Sequence, residues 1–137
     1  MKSNEVEKVR PVIFLVDDDI DYLEQLKIQV ESLGHTAVIA NGQKEAERML
    51  EAFVPDLVIY DLMMENKDSG FILAYKTKKR YPDVPVIIAT AASAETGIVF
   101  SLEKEADKQW IRADKYLEKG LRTDQLQREI NKLLFSK

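Results

Sequence analysis

Cysteine is absent from the 137 residues. Disulfides, thiolate zinc sites and cysteine nucleophiles are therefore excluded, and a reducing compartment suits the chain. Histidine occurs once, at His35, so no second imidazole is present to share a metal. His35 follows Gly34 at the expected end of a helix and reads as a surface residue. No apolar run approaches the ~18 residues of a membrane span, and the N-terminal MKSNEVEKVR has no apolar signal-peptide core. An excess of positive charge is missing too: 20 Lys and Arg stand against 24 Asp and Glu, a net charge of -4. That balance argues against a nucleic-acid-binding face. What remains is a chain 45% hydrophobic and 32% charged, of the size of one domain and able to bury a core. The expectation is a cytoplasmic protein, with residues 1–10 as a solvated tail and 11–137 as a single domain. No output segment is expected after residue 137, and neither a membrane nor a nucleic acid is expected as a partner.

Short apolar runs alternate with amphipathic segments along the chain. VIFLV (12–16), TAVIA (36–40), DLVIY (56–60) and VPVIIAT (84–90) are rich in β-branched residues and lack period-2 alternation. Such runs suit strands covered on both faces. DKYLEK (114–119) is a weaker fifth strand. Between them, Leu23, Leu26, Val30 and Leu33 share one helical face, and Gly34 sits at the C′ position. Ala46, Met49, Leu50 and Phe53 form a second helical stripe, stopped by Pro55. A third helix is expected over 70–80. A fourth, of awkward length, is expected over 94–113, with Trp110 and Ile111 packing near its end. The last helix carries Leu126, Ile130, Leu133 and Leu134, with Thr123 as its expected N-cap. Five βα units predict an α/β fold: a parallel sheet with right-handed crossovers and helices on both faces.

Sites in open parallel sheets form beyond the carboxyl ends of the strands. After the first strand come Asp17, Asp18 and Asp19; after the third, Asp61; after the fourth, Thr90; after the fifth, Lys119. Like charges this close repel, so the cluster needs a reason. Carboxylates grouped without histidine or cysteine are hard oxygen ligands that suit Mg²⁺, which removes the repulsion. One carboxylate then serves as a nucleophile, while the lysine and hydroxyl hold phosphoryl oxygens. The chemistry implied is phosphoryl transfer to an aspartate. The plain alternative for the acidic run is a helix cap plus solvated charge; for Asp61, a turn residue. Lys115 competes with Lys119 but precedes the apolar residues of its strand, at the wrong end. Met63 and Met64 read as loop-packing residues.

Four stretches, FLVDDD, DLVIYDLMM…SG, PVIIATAAS and KYLEK, stand in this order at strand ends. In them the chain resembles the response-regulator receiver domains of two-component signalling, over about residues 11–135. The resemblance implies a flavodoxin-like (βα)5 sheet of order 2-1-3-4-5. It implies that Asp61 accepts a phosphoryl group from a histidine kinase or phosphotransfer protein. Mg²⁺ would be held by Asp17, Asp18, Asp61 and the backbone carbonyl of Met63. Thr90 would be the switch hydroxyl, Tyr116 its aromatic partner, and Lys119 the phosphoryl-binding lysine. Asp19 either joins the acidic pair or caps the first helix, and the cap is favoured. A downstream protein would read the face built from the 94–113 helix, the fifth strand and the last helix. The domain would be a signalling module, not an enzyme in its own right.

The sequence also departs from that family. Glu65 stands where the motif Asp-x-x-Met-Pro has proline, and MMENKDSG is one residue longer before Gly70. Gly120 replaces the proline that follows the lysine. A cis bond before a non-proline residue costs ~2.5–4 kcal/mol, so Lys119–Gly120 is expected to be trans or strained. The segment between Thr90 and Lys119 is several residues longer than the family norm. Two other functions compete: a pseudo-receiver, the same fold used only as an unphosphorylated interaction module, and a phosphatase with its nucleophile on the first strand.

Overall fold

The computed structural model describes residues 10–91 and 113–135. The tail expected over 1–10 lies outside the described residues except for Arg10. So does the helix expected over 94–113, with Trp110 and Ile111, except for Ala113. The described strands are β1 (Val12–Val16), β2 (Thr36–Ala40), β3 (Leu57–Asp61), β4 (Val86–Thr90) and β5 (Lys115–Glu118). The described helices are α1 (Ile20–Ser32), α2 (Gln43–Leu50), α3 (Ser69–Arg80) and α4 (Thr123–Leu134). The strands form one sheet in the order β2-β1-β3-β4-β5, with every pairing parallel.

Unbroken apolar strands arise because both sheet faces are covered. Ile13, Leu15, Leu57, Ile59 and Ile87 pack with Leu23, Leu26 and Val30 of α1 and with Leu126 and Ile130 of α4. Phe14, Val16, Val58, Tyr60 and Ile88 point the other way, against Ala46 and Leu50 of α2 and Phe71, Leu73 and Ala74 of α3. Neighbouring residues of one strand thus serve opposite cores, the period-2 geometry of a pleated strand.

Helix ends follow local chemistry where a cap is present. Asp19 is the N-cap of α1, and its Oδ1 accepts from the Tyr22 amide at 3.2 Å. Gly34 follows the Leu33 C-cap with φ 92°, in the left-handed region that favours glycine. α2 stops at Leu50, short of Phe53, yet the Phe53 ring still packs edge-on to Phe14 at 5.1 Å.

Two further sequence expectations need correction. The N-cap of α4 is Arg122, not Thr123. The Thr123 hydroxyl instead accepts from Gln29 Nε2 at 3.1 Å, which ties α4 to α1. His35 is buried, with 8% of its surface exposed, rather than a surface residue. The turn from α1 into β2 folds it inward, and its Nδ1 has no hydrogen-bond partner among the described residues. Burial holds its pKa below the ordinary imidazole value.

Candidate functional site: an acidic cluster at the strand ends

The parallel ladder runs on past the strand ends and fixes the residues that follow. Asp17 N donates to Ala40 O at 3.2 Å, Leu62 N to Ala89 O at 3.2 Å, and Lys119 N to Thr90 O at 2.8 Å. Asp17, Asp61, Thr90 and Lys119 therefore leave one edge of the sheet on backbone that is held by hydrogen bonds. Asp17, Asp61 and Thr90 are buried, and Asp18 is exposed. One carboxylate oxygen from each of Asp17, Asp18 and Asp61 lies within 4.8 Å of the others. The Lys119 ammonium sits 2.9 Å from Asp17 Oδ2 and 3.0 Å from Asp61 Oδ1. Sequence reasoning placed these residues together, and the structure brings them together.

Asp19 serves the cluster through its backbone: its amide donates to Asp17 Oδ1 at 2.9 Å while its side chain caps α1. Gly70 allows the start of α3 to press on the end of β3. Its amide donates to Leu62 O at 2.7 Å, and a Cβ there would meet Asp61 O at 2.6 Å and Leu62 Cα at 2.8 Å. Gly120, with φ 89°, turns the chain after Lys119 through a left-handed conformation. No described peptide bond is cis, so Lys119–Gly120 is trans as expected.

Burial, and next the neighbouring Asp17 charge, push the Asp61 pKa up to about 7, against the pull of Lys119. Burial also disfavours the Lys119 ammonium, but Asp17 and Asp61 outweigh it and hold its pKa above the ordinary value. The buried Asp17 Oδ2 meets the Lys119 ammonium at 2.9 Å and no other donor among the described residues. A buried carboxylate oxygen left in this state beside two further carboxylates suits a hard divalent cation, which takes oxygen ligands.

Met63 and Met64 pack against the core on the α2–α3 face, as expected for the loop. Tyr116, half-buried on β5, packs against the same core with its ring at 6.4 Å from Phe71, edge to face. Lys115 begins β5 at the opposite end of that strand and lies 3.8 Å from Glu129.

Two contributors escaped the sequence reading. The Tyr22 ring lies 4.9 Å from Lys119 Nζ and covers the lysine on the α1 side. Its position one turn after a strand-end cap was the available signal. Glu65 reaches across to α2, where Gln43 N donates to Oε1 at 2.7 Å and Lys44 N to Oε2 at 3.2 Å. Some loss of hydration works against its charge although the residue is exposed, but these backbone donors outweigh it and hold the Glu65 pKa below the ordinary carboxylate value. Nothing local in the sequence signals that contact. A cleft between α2 and α3, lined by Glu47, Leu50, Lys76 and Tyr81, shares no residue with the acidic cluster.

Comparison with known proteins agrees with this geometry. The transcriptional regulatory protein GlrR of Escherichia coli is 36% identical over 104 residues, covering 70% of this chain and 23% of that protein. The chain thus spans less than a quarter of that relative's length. A CheY-like receiver domain protein from Methanospirillum hungatei superposes with a TM-score of 0.76 at 25% identity, covering 93% of this chain and 95% of that one. The response regulator TrrA of Thermotoga maritima, solved in complex with Mg(2+)-BeF, gives 0.74 at 27% identity, covering 90% and 99%. The family model described as the response regulator receiver domain matches residues 13–131. With that match spread over the sheet, the helices and all four strand ends, the chain belongs to the receiver-domain family of two-component response regulators.

Proposed function

We propose that residues 11–137 act as a phosphoacceptor switch in which Asp61 takes a phosphoryl group from a histidine kinase or phosphotransfer protein. The observation that carries this reading is the Lys119 ammonium bridging Asp17 and Asp61 beside the exposed Asp18. Asp17, Asp18, Asp61 and the Met63 carbonyl would hold Mg²⁺, and the TrrA complex with Mg(2+)-BeF supports that choice. When bound, the cation offsets the negative charge of the acidic cluster and of the phosphoryl oxygens. An Asp61 carboxylate oxygen forms the new O–P bond as the P–N bond to the donor imidazole breaks. The bonding pair leaves with the imidazole nitrogen, which takes up a proton. Lys119 moves from the carboxylates to the incoming phosphoryl oxygens, a role that its position between the two acids supports.

Thr90 then closes on the phosphoryl group, and Tyr116 turns into the space released. These moves shift an existing equilibrium between two conformations and so change the face that includes β5 and α4. That face is proposed to meet the downstream partner, together with the 94–113 segment. The module signals and does not turn over an external substrate.

Incubation with Mg²⁺ and a small phosphodonor, read by intact mass, tests this. One phosphoryl adduct is expected on wild type and none on Asp61→Asn. An unlabelled wild type would favour the pseudo-receiver, and equal labelling of the variant would remove Asp61 from the role.

A further inference from the structure

α2 begins without a cap of its own. Its N-cap residue is Gly42, which has no side chain to offer the first amides. The Gln43 and Lys44 amides are satisfied from 22 and 21 residues away, by the two carboxylate oxygens of Glu65. The carboxylate also lies at the positive end of the helix dipole. Gly42 makes this possible, because a Cβ there would stand 2.8 Å from Glu65 Oε2. Asn66 continues the junction, with its Nδ2 3.5 Å from Gln43 Oε1, while its amide donates to Ser69 Oγ at 2.9 Å. Met64 N donates to Asn66 O at 3.1 Å, and Gly70 N to Leu62 O at 2.7 Å, so the loop after Asp61 is fastened at both ends.

We infer that Glu65 is a positioning residue for the metal-binding loop, pinning it to the start of α2 at the position where the receiver motif is expected to carry proline. The inference rests on the receiver reading above. Proline stiffens a loop by locking its own φ. Glutamate cannot do that, but here it immobilises the loop through two charge-assisted hydrogen bonds to another element. The Met63 carbonyl lies two residues before the pin. Any change in the loop is then felt at the β2–α2 junction, which gives this chain a mechanical link from the acidic cluster to α2.

Amide hydrogen exchange on the metal-free full chain reads the pin directly. Glu65→Ala should speed exchange at Gln43 and Lys44 and, together with them, at Met64, Asn66 and Gly70. Faster exchange confined to Gln43 and Lys44 would overturn the inference, because Glu65 would then be a helix cap alone; no change at all would overturn it too. In Mg²⁺ titrations, Glu65→Ala should weaken binding about tenfold, as loss of a supporting group around a metal does. Ile130→Ala, which weakens the fold from α4 in the opposite core without touching α2 or Glu65, should lower the melting temperature and leave Mg²⁺ affinity unchanged. Wild-type affinity in Glu65→Ala would contradict the inference. Glu65→Gln keeps one acceptor oxygen and should fall between the two; it also serves if the alanine variant does not fold. A wild type that binds no Mg²⁺ would instead sink the receiver-site reading, and the exchange pattern would still decide the pin.

Discussion

A single methyl group at residue 70 would strike backbone. The atoms it would meet, Asp61 O and Leu62 Cα, belong to the end of the central strand and cannot swing aside as a side chain does. Gly70→Ala should therefore lower stability by ~1–3 kcal/mol, the range for an overpacked interior, measured by chemical unfolding. It should also displace the Asp61 carboxylate from Lys119. A second residue-scale consequence concerns His35, whose pKa burial depresses. The unfolded chain binds this proton near the ordinary value, and the folded protein binds it only at lower pH. The folded state therefore keeps its full stability above the unfolded pKa and loses it as pH falls through the depressed folded value. His35→Gln should flatten the acid side of the stability profile below about pH 6.5 relative to wild type. Parallel slopes for the two proteins over that window would contradict this account.

At the scale of elements, α4 is held to the sheet mainly by Leu126 and Ile130, with Ile130 fully buried. Ile130→Ala should cost ~2–5 kcal/mol of unfolding free energy, as other large-to-small core changes do. The same helix shows where sequence reading reaches its limit. Its apolar stripe was legible because it repeats at helical spacing. Its N-cap was not, because the Thr123 hydroxyl is spent on Gln29, 94 residues earlier in the chain. The strands and their order of appearance were legible from apolar runs, and Asp17, Asp61 and Lys119 were legible because each ends or directly follows such a run. Tyr22 over Lys119 and Glu65 beneath α2 were not, since both act through space between elements that only the fold brings together. His35 was misread for a related reason: a turn residue is exposed or buried according to how the two elements it joins close on each other.

At the scale of the molecule, the acidic cluster links folding to ionic conditions. Mg²⁺ that binds the folded site and not the unfolded chain stabilises by RT ln(1 + [Mg²⁺]/Kd), ~2.7 kcal/mol at one hundred times Kd. Asp18→Asn removes one exposed charge from the cluster. It should melt above wild type in EDTA and gain little from Mg²⁺. The wild-type gain should shrink as pH falls through about 7, where Asp61 takes up a proton that competes with the metal. Thermal melts in EDTA, Mg²⁺ and NaCl at matched ionic strength check this; a Mg²⁺ shift no larger than that from NaCl would mean the carboxylates hold no metal. The ladder bonds beyond the strands carry a last consequence. Because Asp17, Leu62 and Lys119 are each set by one parallel rung, the chemistry of this protein is stored as a count of residues. Changing a strand residue for another of similar bulk leaves the count intact, whereas deleting one turns every later side chain of that strand to the opposite face. Drift in spelling is thus cheap and drift in length is not, except in the loop between the Leu62 rung and Gly70, where no ladder bond counts residues.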